Sequence, residues 1–201
     1  GGAAGARAAL AAKQAGASVI LAVKGELGVM GVRGAGATGS GTPRYLHMFS
    51  SMAKRFNIAD EVESYYKRAI RAGLGIADRH MVRTLVDGAL EAKKNMETWG
   101  LVLGSDNPEN PGGIECNITP MPGLANMVRA SHEINALQHT MVTDLLVEDN
   151  ICKGVIAVHE ENAEPVMIKA GAVILATGGC AQLFSFSFHP PCITGDGYAM
   201  G

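Results

Sequence analysis

The chain has 201 residues, of which 47% are hydrophobic and 18% are charged, and its formal net charge is -2. This length and apolar content predict one domain, or a large part of one, with a sizeable core. The near-neutral charge gives no sign of a nucleic-acid or anionic-membrane partner. No apolar run approaches the roughly 20 residues of a membrane span, so no direct span is expected.

The chain opens with a glycine-rich turn, Gly1-Gly2-Ala3-Ala4-Gly5, which runs into an alanine-rich helix predicted over 6–15. Gly2 and Gly5 match the second and third glycines of a G-x-G-x-x-G turn, with Gly1 in the variable slot. Such a turn brings a diphosphate to the positive end of a helix without a Cβ in the way. The first glycine and its preceding strand are missing, so we expect a truncated motif. The alternative is a helix start that only packs closely on a sheet.

A buried parallel strand is predicted over 19–23, after a helix stop at Gly16. An acidic residue that binds ribose hydroxyls usually lies about 20 residues past the glycines, but Val23 and Lys24 stand there. Glu26 is a substitute from the following loop. Lys24 favours a phosphorylated ribose, as in NADP, unless it is simply a solvated strand end.

Between residues 25 and 42 the chain consists almost entirely of small residues. One interpretation is a low-complexity linker, and the other is a loop laid flat against a ligand. In the second case, backbone N–H groups and two hydroxyls would bind a diphosphate or a ring edge. The residues concerned are Gly34, Ala35, Thr38, Gly39, Ser40 and Gly41.

A helical insertion is predicted over about 43–100. Residues 60–71 carry apolar side chains at helical spacing, and Asp78 is predicted to N-cap a longer helix that ends at Gly100. In that helix Met81 and Leu85 belong to a predicted core stripe. A short strand is predicted over 101–103 and a further helix over 123–137.

The last third of the chain is predicted to be rich in strands. Residues 141–147, 152–159 and 165–169 form a three-stranded meander. A further apolar strand, Ala172–Thr177, stops abruptly at Gly178 and Gly179. In the tail, Thr194-Gly195-Asp196-Gly197 offers two residues, Thr194 and Asp196, that would cap a final helix.

Four blocks, in this order, resemble the flavoprotein family of succinate dehydrogenase, fumarate reductase and L-aspartate oxidase. They are GGAAGARAAL, AGLGIADRHMVRTLVDGALEAKKNMETWG, MVTDLLVEDNICKGVIAV, and AVILATGG followed at a distance by HPPCITGDGYAMG. The resemblance spans essentially the whole chain. It implies an α/β fold: a doubly wound, Rossmann-like FAD-binding domain of the glutathione-reductase type with a three-stranded β-meander. Residues 1–201 would be a partial domain, truncated at both ends, without the first strand, the capping domain and the C-terminal return.

The resemblance also implies one extended FAD molecule. Its diphosphate would lie at Gly2 and Gly5, its flavin at the loop 38–41 and its adenine at the backbone of Val142. Residues 176–178 would pass close to the cofactor, and Asp196 would belong to the flavin side. The complete set of cofactor-binding candidates is Gly1, Gly2, Ala3, Gly5, Val23, Lys24, Gly34, Ala35, Thr38, Gly39, Ser40, Gly41, Val142, Ala176, Thr177, Gly178, Gly179, Gly195 and Asp196.

The same resemblance gives this chain no catalytic residue, because the family's substrate-binding and hydride-relay His and Arg residues have no counterpart in it. The loop 25–41 contains no histidine, and that is where the succinate dehydrogenase type attaches flavin covalently. His47 and His189 are poor substitutes, so we expect non-covalent FAD. The four cysteines lack C-x-x-C spacing, so no metal site is expected. Cys180 lies close to the flavin or is only a small structural residue.

The function implied is hydride transfer between FAD and a small, dicarboxylate-like acid, in an FAD-dependent oxidoreductase. The fragment alone is expected to be inactive. An electron-transfer partner subunit is expected, and the expected location is the cytoplasm, peripheral to the inner membrane only through a partner. Two alternatives remain: an NADP-linked reductase domain, which Lys24 favours, and a non-catalytic flavoprotein module of an electron-transfer complex.

Overall fold

The computed structural model of the chain describes residues 1–28, 58–98, 120–187 and 191–201. The chain divides into two compact units, one formed by residues 1–38 and 121–201 and the other by residues 39–120. The predictions made for the loop 34–41, for Gly100 to Leu103, and for His47 and His189 lie outside the described residues.

The first unit begins with helix α1 (Ala3–Gln14), strand β1 (Val19–Ala22) and, much later in the chain, strand β2 (Ile134–Leu137). The two strands pair in parallel, with Val19 opposite Ile134 and Ala22 opposite Leu137. Helix α1 starts three residues earlier than predicted, because Gly2 is its N-cap. Its buried face, formed by Gly5, Ala6, Ala9 and Leu10, turns small side chains towards the sheet, so helix and strands approach closely.

Strand β2 corrects the prediction of one helix over 123–137. Helix α4 (Pro120–Ala130) ends early; its last turn is closed by Ser131, whose hydroxyl donates to the carbonyl of Met127 at 3.0 Å. Four residues that also suit a helix then form a strand, because β1 supplies a hydrogen-bonded neighbour across more than 100 residues of sequence. A tertiary contact of this kind overrides local propensity.

The predicted meander is confirmed. Strands β3 (Thr140–Glu148), β4 (Ile151–His159) and β5 (Pro165–Lys169) form an antiparallel sheet in that order. Asp149 and Asn150 both have positive φ, which is the signature of the type I′ turn that matches strand twist in a two-residue hairpin. The start of β3 is tied to the end of β1, since the amide of Thr140 donates to the carbonyl of Val23 at 2.9 Å.

The prediction of a strand over Ala172–Thr177 is wrong. Among the described residues no strand pairs with this segment, and Ile174 is 67% exposed. A strand requires a hydrogen-bonded neighbour, which an apolar sequence alone does not provide. The first unit then continues through a short 3₁₀ helix (Ala181–Leu183) and ends in helix α5 (Asp196–Met200).

The second unit contains helices α2 (Ile58–Ala72) and α3 (Arg79–Thr98), which contact each other. The prediction that Asp78 caps α3 is confirmed, because its Oδ1 accepts hydrogen bonds from the amides of His80 and Met81 at 2.8 and 3.0 Å. The predicted core stripe is wrong at Met81 and Leu85, which are mostly exposed, whereas Val86 is fully buried.

Arg83 explains which face of α3 turns towards α2. Its guanidinium donates to Glu63 of α2 at 2.9 Å and lies 4.9 Å from the ring of Tyr66. The hydrogen bond from Arg83 holds the pKa of Asp87 below its usual value. The hydrogen bonds that Arg83 donates to Asp87 and Glu63 raise the pKa of Arg83. In the parts of the chain that the structure describes, none of the helices combines the length and the apolar character needed to cross a bilayer.

Candidate functional site

The start of helix α1 is open. Gly2 is the N-cap in an extended conformation, and no described side chain caps the helix or places an acidic group in its first turn. The first N–H groups of a helix have no partner within the helix. A Cβ added to Gly2 would meet nothing within 4 Å, whereas one added to Gly1 would collide with the side chain of Val23. An anionic group can therefore approach these N–H groups, and only glycine fits at position 1.

The two glycine-rich segments at opposite ends of the sequence lie together. A Cβ built on Gly5 would be 3.6 Å from the Cβ of Ala176 and 3.7 Å from Cδ1 of Leu21. Helix α1 thus touches both β1 and the segment 172–177 through a residue without a side chain. Gly178, which follows directly, has a φ of +82°, a conformation that glycine adopts without strain.

The segment 193–197 packs on this second glycine segment. A Cβ on Gly197 would be 3.1 Å from the Cβ of Thr177, and a Cβ on Gly195 would be 2.9 Å from the Cβ of Cys180. Gly195 also has a φ of +84°. Both glycines are therefore required for close packing, and Cys180 serves here as a small structural neighbour. The amide of Gln182 adds a hydrogen bond to the carbonyl of Ile193 at 3.0 Å.

Lys24 connects the end of β1 with the segment 193–197. Its Nζ donates to Oγ1 of Thr194 at 2.7 Å and to Oδ2 of Asp196 at 2.9 Å, and Thr194 Oγ1 donates to Oδ1 of Asp196 at 2.7 Å. The side chains of Lys24 and Asp196 are only 28% and 30% exposed. The interpretation of Lys24 as a solvated strand end is therefore wrong, because its ammonium group is engaged within the fold.

The network keeps Asp196 ionised. Partial burial alone would raise the pKa of Asp196, but hydrogen bonds from Lys24 and Thr194, together with the charge of Lys24, outweigh burial and lower the pKa. A carboxyl group with a lowered pKa in the folded state stabilises the fold above its unfolded pKa of about 3.9, and that stabilisation is lost as the pH falls through the folded pKa.

We therefore expect a pH-dependent difference in stability between the wild-type protein and the D196N variant. Near pH 6 the free energy of unfolding of the wild-type protein should exceed that of D196N. The difference should be no more than about 1 kcal/mol, because the ion pair of Lys24 and Asp196 is partly exposed. The difference should shrink as the pH falls below about 4, through the lowered pKa of Asp196. Urea unfolding followed by circular dichroism at several pH values measures it. The assignment of Asp196 as an ion-paired carboxylate would be contradicted if the difference in the free energy of unfolding between the two proteins stayed constant with pH or grew towards low pH.

The structure brings most of the described candidates into one region, where residues 1–5, 21–24, 176–180 and 193–197 meet. Val142 lies on β3, which also contacts α5, beside a bulge between Val142 and Asp144. Bulges commonly occur next to functional sites. The candidates outside the described residues are Gly34, Ala35, Thr38, Gly39, Ser40 and Gly41.

The sequence did not predict that Thr194 bridges Lys24 and Asp196 or that Gly197 packs against Thr177. The Thr-Gly-Asp-Gly pattern was the signal that pointed to this segment.

Comparisons with known proteins identify the family of the chain. A family model described as an FAD binding domain matches residues 1–134 and 117–201. The chain is 29% identical over 215 residues to an uncharacterized FAD-dependent oxidoreductase of Methanocaldococcus jannaschii, a match that covers 100% of this chain and 37% of the relative. It is 27% identical over 225 residues to the L-aspartate oxidase of Vibrio cholerae, covering 99% of this chain and 39% of that protein.

The fold has a known counterpart. The flavoprotein chain of Escherichia coli quinol fumarate reductase aligns with a TM-score of 0.75 at 23% identity, over 99% of this chain and 35% of that one. The chain thus spans less than two fifths of the length of the proteins it matches. These findings confirm the predicted α/β FAD-binding fold, the resemblance to this flavoprotein family and FAD as the cofactor.

Proposed function

The chain belongs to the FAD binding domain family, and we propose that it is the cofactor-binding portion of an oxidoreductase that exchanges hydride between FAD and a small carboxylic acid. One observation carries this proposal: the open, glycine-capped start of α1 lies against the segment that ends in the second glycine pair. One elongated cofactor would contact both segments through backbone, where side chains are absent.

The residues of the site fit the parts of FAD. The N–H groups at Gly2 to Gly5 would stabilise the diphosphate through hydrogen bonds and the helix dipole. The end of β1 at Val23 would lie at the ribose, with the side chain of the next residue, Lys24, turned to Thr194 and Asp196, and the backbone of Val142 would serve the adenine. Residues 176–179 would pass along the flavin, with Asp196 on the same side.

In the proposed reaction, FAD would carry out the hydride chemistry, and the protein would bind and orient the cofactor. FAD, when bound, supplies the group that accepts or gives up a hydride. The protein supplies close packing that holds the cofactor extended, since Gly195 and Gly197 bring residues 193–197 against Cys180 and Thr177. It also supplies an ionised carboxylate at Asp196, held by Lys24. We assign no catalytic group within residues 1–201, and we expect these residues alone to show no turnover.

The names of two matched proteins support a substrate class and a redox partner. They refer to fumarate and to L-aspartate, both small dicarboxylates, and one of them also contains the word quinol. By this similarity we propose a dicarboxylate-like substrate and an electron-transfer partner subunit, with the protein in the cytoplasm and attached to the inner membrane only through that partner.

Lys24, the residue that favoured the NADP-linked alternative, no longer supports it. Lys24 was the candidate to bind a ribose phosphate, but its ammonium group donates to Thr194 and Asp196. The non-catalytic flavoprotein module predicts the same cofactor without turnover, so activity of the full-length protein distinguishes it from the oxidoreductase.

The test uses the full-length protein, stripped of flavin and titrated separately with FAD and with NADPH. We expect FAD to bind with micromolar or tighter affinity, with quenched flavin fluorescence, and NADPH not to bind. Acid precipitation should leave the flavin in the supernatant, because no covalent bond is expected. Fumarate reduction with a reduced dye then tests the activity. Absence of FAD uptake would overturn the cofactor site, and FAD uptake without turnover on any dicarboxylate would favour the non-catalytic module.

A further inference from the structure

Four chain segments form a closed ring of contacts around the site. Gly5 of α1 touches Leu21 of β1 and also Ala176. Lys24, three residues after Leu21, reaches Thr194 and Asp196. Residues 195 and 197 in turn pack on residues 180 and 177, which follow Ala176 directly. The bond from Lys24 is the charged link in this ring; the other links are the close packing of glycines on their neighbours and the hydrogen bond from the amide of Gln182 to the carbonyl of Ile193.

The backbone next to Lys24 is held in place by hydrogen bonds to two other strands. The neighbouring Val23 is buried, its amide donates to the carbonyl of Leu137 at 2.8 Å, and its carbonyl accepts from the amide of Thr140 at 2.9 Å. The position of Lys24 is therefore set by both β2 and β3. The hydrogen bonds of Lys24 therefore connect residues 194–196, at the start of the five-residue helix α5, with this fixed backbone.

The network around Lys24 links three polar side chains. The ammonium group donates to Thr194 and Asp196, the hydroxyl of Thr194 donates to Asp196 at 2.7 Å and lies 3.4 Å from the carbonyl oxygen of Cys192, and both oxygens of Asp196 accept. Charge-assisted hydrogen bonds of this kind are stronger than neutral ones and fix geometry. Removing the ammonium group would leave a partly buried carboxylate without its cation, so the carboxylate would turn towards water.

From this arrangement we propose that Lys24 is a positioning residue of the FAD site, which acts through Asp196 and Thr194 rather than on the cofactor itself. It fixes the distance between the part of the site at the end of β1 and the part at residues 194–197. The proposal rests on the proposed function, since it assumes that Asp196 lies beside bound FAD.

The experiment measures FAD affinity and stability separately in the full-length protein. The variants are K24M, K24R, D196N, T194V and the double variant K24M/D196N. We expect K24M to bind FAD about tenfold more weakly than wild type, and K24R to recover most of the affinity because it keeps the charge. T194V should show a smaller loss. K13M is the matched control, because Lys13 also forms an ion pair, with Glu133 at 3.6 Å, and its FAD affinity should stay within twofold of wild type.

The double variant identifies the route by which Lys24 acts. If Lys24 works through Asp196, then K24M should cost little further affinity once Asp196 is neutral, so the two losses should not multiply. Multiplying losses would show that Lys24 contacts the cofactor directly and would overturn the proposal, as would wild-type affinity in K24M. Circular dichroism at the temperature of the titration should show that K24M without FAD is as completely folded as K13M, even if its unfolding temperature is somewhat lower, so that unfolding does not account for the lost affinity. Failure of the wild-type protein to bind FAD would instead overturn the proposed function.

Discussion

Replacement of Gly2 by Asp should weaken FAD binding about 100-fold, which corresponds to about 2.8 kcal/mol, while the fold keeps its stability. Gly2 is the N-cap of α1, with a φ of −85° that any residue adopts. A Cβ at this position would meet nothing within 4 Å, so the new side chain fits. A carboxylate at an N-cap accepts hydrogen bonds from the first N–H groups of the helix and stabilises it by a few tenths of a kcal/mol relative to glycine.

The same carboxylate would compete with the diphosphate. It would occupy the N–H groups that we assign to the cofactor and would place a negative charge within a few ångströms of two phosphates. Two like charges 4 Å apart repel by about 4 kcal/mol at the effective dielectric of a protein surface, and water and salt reduce this value. The expected result is therefore an opposite effect on two quantities: unchanged or slightly higher thermal stability without FAD, and much lower affinity.

Gly2→Asn separates charge from shape. Asparagine caps a helix about as well as aspartate and has nearly the same volume, but it carries no charge. It should weaken FAD binding about tenfold, because it also occupies N–H groups. Equal losses in both variants would show that steric exclusion, and not charge, decides the affinity. Wild-type affinity of G2D would show that the diphosphate does not lie at the start of α1.

Local patterns predicted those parts of the fold that local interactions determine. The Asp78 cap and the hairpin turn at Asp149 and Asn150 both depend on residues close together in sequence. The helix start at Gly2 was placed by the glycine pattern to within a few residues. At Asp78 the physical cause is a short-range hydrogen bond, and at Asp149 and Asn150 it is a backbone conformation that few residue types adopt.

Long-range partners decided the features that the sequence did not predict. Residues 134–137 form a strand only because β1 lies beside them, and Ala172–Thr177 forms none because no described strand pairs with it. The partnership of Lys24 with Asp196 joins residues 172 positions apart, and no periodicity signals such a pair. For the site, sequence patterns therefore located the individual segments, whereas their contacts required the structure.

Replacement of Gly154 by Ala should have the largest effect on stability, with a loss of about 4 kcal/mol in the free energy of unfolding. Gly154 lies in β4 between Leu146 and Lys169, with a φ of +147°. A residue with a Cβ is strained there by about 1–3 kcal/mol. The added Cβ would also collide with the carbonyl oxygen of Ile168 and lie 3.0 Å from Cα of Lys169. Both neighbours are backbone atoms of β5, so they cannot move without breaking the ladder, and overpacking adds about 1–3 kcal/mol.

Gly171→Ala is the matched control, because a Cβ at position 171, two residues after β5, meets nothing within 4 Å. Its free energy of unfolding should stay within about 0.5 kcal/mol of wild type. Urea unfolding followed by circular dichroism measures all three proteins. Similar stability of G154A and G171A would contradict the close approach of β4 and β5 at this position.

G154A and G2D should separate stability from cofactor binding. The meander supports the site in two ways: Thr140 of β3 holds the carbonyl of Val23 and β3 contacts α5, and the backbone of Val142 on β3 is the proposed adenine contact. G154A should therefore lower the unfolding temperature strongly, and saturating FAD should recover part of that loss by mass action, because FAD binds the folded state. G2D should keep its unfolding temperature without FAD and gain little when FAD is added. If FAD stabilised G2D as much as wild type, the diphosphate would bind away from α1. If FAD failed to stabilise G154A at all, the distortion at Gly154 would extend into the cofactor site, and the expected separation of stability from binding would be wrong.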